Sequence, residues 1–152
     1  MELYLDTCCY GRPYDDMSQA GVKAEYAAIL NAIHVCEFEG FPIFGSPMLV
    51  LEINQIPDSE TRENVMAFYR ETVNKKTPLT AQVEARAAEL QAGGLRKMDS
   101  YHAALSESAG VDYLLTTDAK FEKAAARLGV KTNVINPINF LQEYLKWLQQ
   151  ST

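Results

Sequence analysis

Residues Met98 to Phe121 read "MDSYHAALSESAGVDYLLTTDAKF", and the order of signals in this stretch decides the fold class. Met98, Tyr101 and Leu105 recur at helical spacing as a core stripe, which predicts a helix from about Met98 to Ala109. Gly110 closes it, because glycine readily takes the left-handed conformation that ends helices. "DYLLTTD", Asp112 to Asp118, then reads as an apolar strand. Asp118 follows that strand and opens another helix, which runs to Leu128 and stops at Gly129.

The same alternation extends in both directions. Toward the N-terminus, "LYLDTCCYGRP" (Leu3 to Pro13) predicts a strand over Glu2 to Asp6, then a turn through Gly11 and Pro13. From about Met17 to Glu39, Val22, Tyr26, Ile29, Ile33 and Cys36 predict a helix, with Asp15 and Asp16 as its caps and Gly40 as its stop. Phe41 to Phe44 is a short strand, and Ser46-Pro47 reads as N-cap and first helical residue. The helix "PMLVLEINQI" is apolar nearly all round and is expected to be well buried. Asp58 caps a helix to about Val73, and Thr80 caps one ending at Gly93-Gly94. Toward the C-terminus, "KTNVIN" is a last strand and Pro137 starts a helix reaching Trp147. Strands alternating with helices predict an α/β layer fold around a mostly parallel sheet of about four to five strands. In such sheets ligands sit beyond the carboxyl ends of the strands, where Asp6 and Asp118 both lie.

A chain of 152 residues without a linker or repeat is read as one domain over residues 1–152. Its 47% hydrophobic and 22% charged residues are those of an ordinary soluble globule. The absence of a membrane-length apolar run or a signal-peptide pattern predicts a cytoplasmic protein that does not engage a membrane. The three cysteines show no CxxC or Cys/His spacing, so they are expected to be reduced, buried thiols. A net charge of −6 argues against a duplex-coating protein with a basic face. It does not exclude phosphodiester substrates, because bound divalent cations reverse the sign of a carboxylate-rich cleft.

Several carboxylates stand where local structure does not excuse them. Glu52 shares a helical row with Met48 and Ile56, beside Leu49 and Ile53. A charge on that face is costly unless paired with a Lys or Arg or bound to a metal. Asp99 lies in the first turn of its helix, where the dipole alone would favour an acid. Asp6 and Asp118 each have a turn or capping explanation. Asp112 precedes its strand and belongs at the opposite edge from Asp118. If Asp6, Glu52, Asp99 and Asp118 converge, their repulsion destabilises the fold. Hard divalent cations such as Mg²⁺ or Mn²⁺ require that arrangement. Zinc is disfavoured in the absence of a His or Cys in the set.

The combination resembles a PIN domain over nearly the whole chain, through "YLDTCC", "SPMLVLEI", "KMDSYHAALSESAGVDYLLTTDAKF" and "VINPINFL". The resemblance implies a three-layer α/β/α fold and an acidic site at Asp6, Glu52, Asp99 and Asp118, with the Thr116 hydroxyl in support. Where some members carry further acids, Ala119 and Lys120 stand here. It also implies a VapC-like metal-dependent endoribonuclease, with a cognate antitoxin and a homodimeric assembly.

The expected chemistry is metal-assisted phosphodiester hydrolysis, with one or two Mg²⁺ or Mn²⁺ ions held by the carboxylates. Asp6 and Asp118 are expected as direct ligands, Asp99 as a direct or water-mediated one, and Glu52 as holding water or a second ion. Single-stranded or looped RNA is the expected substrate, since its phosphates reach a cleft that a stiff duplex does not enter. Arg12, Arg96, Lys97 and Lys120 flank these acids and read as phosphate contacts or as solvated surface charge. Tyr10 and Tyr14 read as stacking platforms or packing lids, His102 as a satisfied structural histidine, and His34 as solvent-facing. The alternatives are a non-catalytic RNA- or protein-binding module, and a phosphatase with a strand-end aspartate nucleophile. The latter usually needs a second Asp two residues on, where this chain has Cys8.

Overall fold

The first strand, β1 (Leu3–Leu5), is buried at every residue and lies in the middle of a five-stranded sheet. The computed structural model describes residues 1–151. The sheet comprises β1, β2 (Ile43–Gly45), β3 (Lys75–Lys76), β4 (Tyr113–Leu115) and β5 (Asn133–Ile135) in the order β3-β2-β1-β4-β5. Every recorded pairing is parallel. The helices are α1 (Thr7–Gly11), α2 (Ala20–Glu39), α3 (Pro47–Asn54), α4 (Ser59–Thr72), α5 (Ala81–Ala92), α6 (Lys97–Ala109), α7 (Ala119–Arg127) and α8 (Pro137–Ser151).

Strand alternation assigns the faces. Leu3 pairs with Tyr113 and Tyr4 with Leu114, so Tyr4 and Tyr113 point to opposite sides. Tyr4 meets His102 of α6, with ring centroids 5.7 Å apart. Tyr113 meets Phe140 of α8 at 5.4 Å. Helices therefore cover both faces, α5 packing on α6 and α2 on α8. This is the expected α/β/α sandwich, and its central strand β1 is apolar without alternation because both its sides are buried.

The strand order reverses between β1 and β4, because the chain builds outward through β2 and β3 and then returns to the other side of β1. A crevice opens at such a point, beyond the carboxyl ends of the two strands.

Several expectations need correction. The segment after Asp6 is not a plain turn: α1 starts at once, with the Asp6 side chain accepting from the Thr7 N–H, and a 3-10 turn follows over Arg12–Tyr14. Asp15 and Asp16 do not cap α2, which begins at Ala20 after Gln19. Asp16 instead accepts from the Ser18 N–H within the preceding turn. α3 is buried only along Leu49 and Ile53, and Leu51 is 46% exposed. The strand β3 is two exposed lysines at the sheet edge, with no apolar pattern to announce it.

Candidate functional site

Asp6 leaves β1 directly beside the end of β4, its N–H donating to the Leu115 carbonyl at 2.9 Å. Its side chain is held from three directions and is only 6% exposed as a residue. Oδ1 accepts from the Thr7 N–H at 2.8 Å. Oδ2 accepts from the Thr116 hydroxyl at 2.8 Å and from the Cys8 thiol at 3.4 Å. Thr116 is fully buried, and its Oγ1 accepts from the Asp118 N–H at 3.1 Å, which ties the two strand ends together.

Asp118 divides its two oxygens. Oδ1 caps α7, accepting from the N–H groups of Lys120 at 2.9 Å and Phe121 at 3.3 Å. Oδ2 is engaged by the Arg96 guanidinium. Arg96 also reaches Asp99, with Nε 3.4 Å from Oδ2. Asp99 is enclosed enough that burial, followed by the charge of Asp6, pushes its carboxyl from an ordinary 3.8 up to about 6, against the pull of Arg96.

Glu52 projects from α3, which starts where the Ser46 hydroxyl accepts from the Leu49 N–H at 3.2 Å. Its Oε1 accepts from the Thr7 hydroxyl and lies 2.8 Å from His102 Nε2. Of the two readings for this acid, the salt bridge to a Lys or Arg is not found among the described residues, and the partner is a fully buried histidine. Burial raises the Glu52 carboxyl, but the His102 hydrogen bond and charge outweigh it and leave it lowered. Burial likewise depresses His102, and Glu52 and Asp6 more than restore it, so its net shift is upward. On the far side of the ring, Nδ1 lies 2.7 Å from the Tyr4 hydroxyl, itself 2.7 Å from Ser46 Oγ. A neutral ring satisfies every partner: Ser46 donates to Tyr4, Tyr4 to Nδ1, and Nε2–H to Glu52.

Asp6, Glu52, Asp99 and Asp118 thus line one cleft of about 430 Å³, together with Thr7, Cys8, Arg96, Lys97 and Met98. Donor atoms of Asp6, Glu52 and His102 lie within 4.8 Å of one another. Four carboxylates against Arg96 and Lys97 leave the lining short of positive charge, and their oxygens suit a hard divalent cation. The structure gathers all the expected acids, with Thr116 beneath Asp6. It adds Thr7, Cys8 and His102, which the sequence reading left out of the site. His102 joins the set from which histidine was thought absent. Its Nε2 is turned on Glu52 rather than free for a soft metal.

Other expectations resolve differently. Tyr10 is fully buried against Phe68 and Tyr69, a packing role, while Tyr14 is exposed. Arg12 is committed to Thr117, Asp15 and Glu25. Cys9 and Cys36 are buried, but Cys8 is half-buried at the cleft. His34 is exposed, and Asp112 sits at the other end of the sheet, accepting from the Glu2 N–H. Among the described residues no helix is long and apolar enough to cross a membrane.

Comparison with known proteins agrees with this architecture. The family model of the PIN domain matches residues 4–127. The fold is similar to the crystal structure of VapBC2 from Rickettsia felis bound to a DNA fragment from their promoter: TM-score 0.61, 14% identity, covering 90% of this chain and 98% of that one. It is also similar to FitAcB from Neisseria gonorrhoeae, with TM-score 0.54 and 15% identity over 89% of this chain and 97% of that one. No curated protein sequence gives a significant match.

Proposed function

We propose a function from one premise: the chain belongs to the PIN domain family. On that premise it is a metal-dependent nuclease, an endoribonuclease hydrolysing phosphodiesters in single-stranded or looped RNA. The observation that carries this reading is the convergence of Asp6, Glu52, Asp99 and Asp118 in one cleft at the point where the strand order reverses.

The fit to Mg²⁺ or Mn²⁺ rests on the donor set, which is carboxylate oxygen with the one histidine nitrogen bonded to Glu52. Such an ion supplies Lewis-acid polarisation of the phosphate and a more acidic water. Asp6 and Asp118 would hold it from the strand ends, with Asp99 beside them. Thr116 and Thr7 fix the orientation of Asp6, by a side-chain and a backbone bond respectively. Glu52, its Oε1 fastened by Thr7 and His102, would orient the attacking water with its remaining oxygen. Lys97 and Lys120 stand at the cleft and its neighbour as phosphate contacts.

The likeness in fold to VapBC2 and FitAcB supports an antitoxin as protein partner, and a cytoplasmic homodimer as the working form is part of the same proposal. The direct test is Asp6→Asn, which keeps the N-cap acceptor and the size of the side chain. It is expected to lose Mn²⁺- or Mg²⁺-dependent cleavage of a single-stranded RNA by at least about 100-fold, the upper end of the roughly 10–100-fold that loss of a mere outer-shell partner costs. Undiminished cleavage by a folded Asp6→Asn protein refutes the assignment.

A further inference from the structure

We propose that Arg96 is a displaceable counter-ion: its guanidinium bridges Asp99 and Asp118 until a divalent cation takes them, and then turns to a phosphate of the RNA substrate. This rests on the metal-site reading above.

The competition is for one atom. Asp118 Oδ1 is occupied by the N–H groups of Lys120 and Phe121, so Oδ2 is the oxygen left to meet a cation, and Arg96 holds it. Asp99 also turns its Oδ2 to Arg96, 3.4 Å from Nε. A cation bound to both acids and a guanidinium bound to both cannot share these oxygens without like-charge repulsion.

The arginine is built to let go. Its backbone is fixed, because Leu95 is buried and the Arg96 carbonyl accepts from the Ser100 N–H and hydroxyl, both at 2.9 Å. Its side chain, by contrast, is 71% exposed. Exposed ion pairs contribute little, about 0–1 kcal/mol, so a divalent cation that gains more from the same carboxylates displaces this one readily.

A destination adjoins the site. Arg96 and Asp99 line both the acidic cleft and a second cleft of about 360 Å³ that also contains Lys120 and Phe121. Released from Asp118, the guanidinium would stay on the wall of the second cleft that it shares with Lys120. There its planar donors match two oxygens of a phosphodiester. One side chain thus offsets part of the charge of the empty site and grips substrate at the filled one.

The two roles predict opposite signs for one substitution. Isothermal titration of Mn²⁺ without RNA is expected to show Arg96→Ala binding about three- to fivefold more tightly than wild type, the factor an exposed ion pair allows. At saturating metal, the affinity of Arg96→Ala for a single-stranded RNA is expected to fall several-fold, and Arg96→Lys to recover part of it. Arg96→Gln, which keeps the shaft and loses the charge, repeats the metal measurement should the alanine variant misfold. Equal or weaker Mn²⁺ binding in the variants overturns the displacement, and unchanged RNA affinity overturns the transfer to phosphate. If neither wild type nor variant binds Mn²⁺, the metal-site reading itself fails and takes this inference with it.

Discussion

Asp99 lies among Asp6, Asp118 and Arg96, and its carboxyl titrates near 6 instead of 3.8 because burial and then the Asp6 charge disfavour ionisation. Between those two pH values the folded chain holds a proton that the unfolded chain has lost, so stability falls as pH rises through this window. Above about 6 the penalty is fully present. Asp99→Asn is therefore expected to be more stable than wild type at pH 7.5 in EDTA, by at most about 3 kcal/mol. The advantage should shrink to a few tenths of a kcal/mol near pH 3.5, where Asp99 is protonated in the folded state and mostly so in the unfolded one. Urea denaturation at the two pH values checks this, and a less stable Asp99→Asn at pH 7.5 would show that Arg96 outweighs the desolvation. The cost explains why the acids are legible in the sequence: Asp6 and Asp118 end apolar strands, and Glu52 interrupts an apolar helix face. Their partners are not legible. Tyr4 and His102 are separated by 98 positions and meet only because β1 and α6 stack, so nothing local marks His102 as the brace of Glu52. Cys8 and Thr7 were obscured by an assumed turn, where a one-turn helix aims Cys8 back at Asp6.

At the scale of elements, the aim of Glu52 depends on how α3 leaves β2. Gly45 ends β2, and a Cβ there would overlap the Tyr69 hydroxyl and come within 2.8 Å of Val73 Cγ1. That same Tyr69 hydroxyl accepts from the Ser46 N–H at 3.2 Å, and Ser46 is both the cap of α3 and the far end of the Tyr4–His102 chain. Gly45→Ala is expected to cost about 1–3 kcal/mol by overpacking. It should also lower cleavage activity, by tilting α3. Tyr69→Phe in the same chain removes the worst overlap, so the double variant should be less destabilised than the two single changes added together. Strict additivity in urea denaturation would mean that α3 moves freely and that this packing does not aim Glu52. The helices themselves are legible because their ends carry chemistry. Ser46, Asp58 and Thr80 cap as the sequence implies, and Gly40 and Gly110 adopt positive φ at the stops. The edge strand β3 is not legible, because parallel pairing with β2 forms it from Lys75 and Lys76, and edge position rather than burial selects those residues.

The whole molecule carries a net charge of −6, which opposes RNA at long range, and the cleft repeats the problem locally with four carboxylates against two cationic side chains. One divalent ion would bring that lining to neutrality, and two would reverse it. RNA binding is therefore expected to depend on metal rather than on a basic face. The affinity for a labelled single-stranded RNA should rise at least about tenfold, roughly 1.4 kcal/mol, between EDTA and saturating Ca²⁺. With Arg96, Lys97 and Lys120 as the cations near the cleft, about three phosphates are neutralised. Each contributes about −0.7 to the slope of log affinity against log salt, so a shallow slope near −2 is expected. Fluorescence anisotropy over a sodium chloride series measures both quantities, with the RNA checked for cleavage on a gel. Tight binding in EDTA with a slope of about −5 or steeper would mean that a basic surface outside this cleft holds the RNA. The acidic site would then act on a substrate positioned from elsewhere on the molecule.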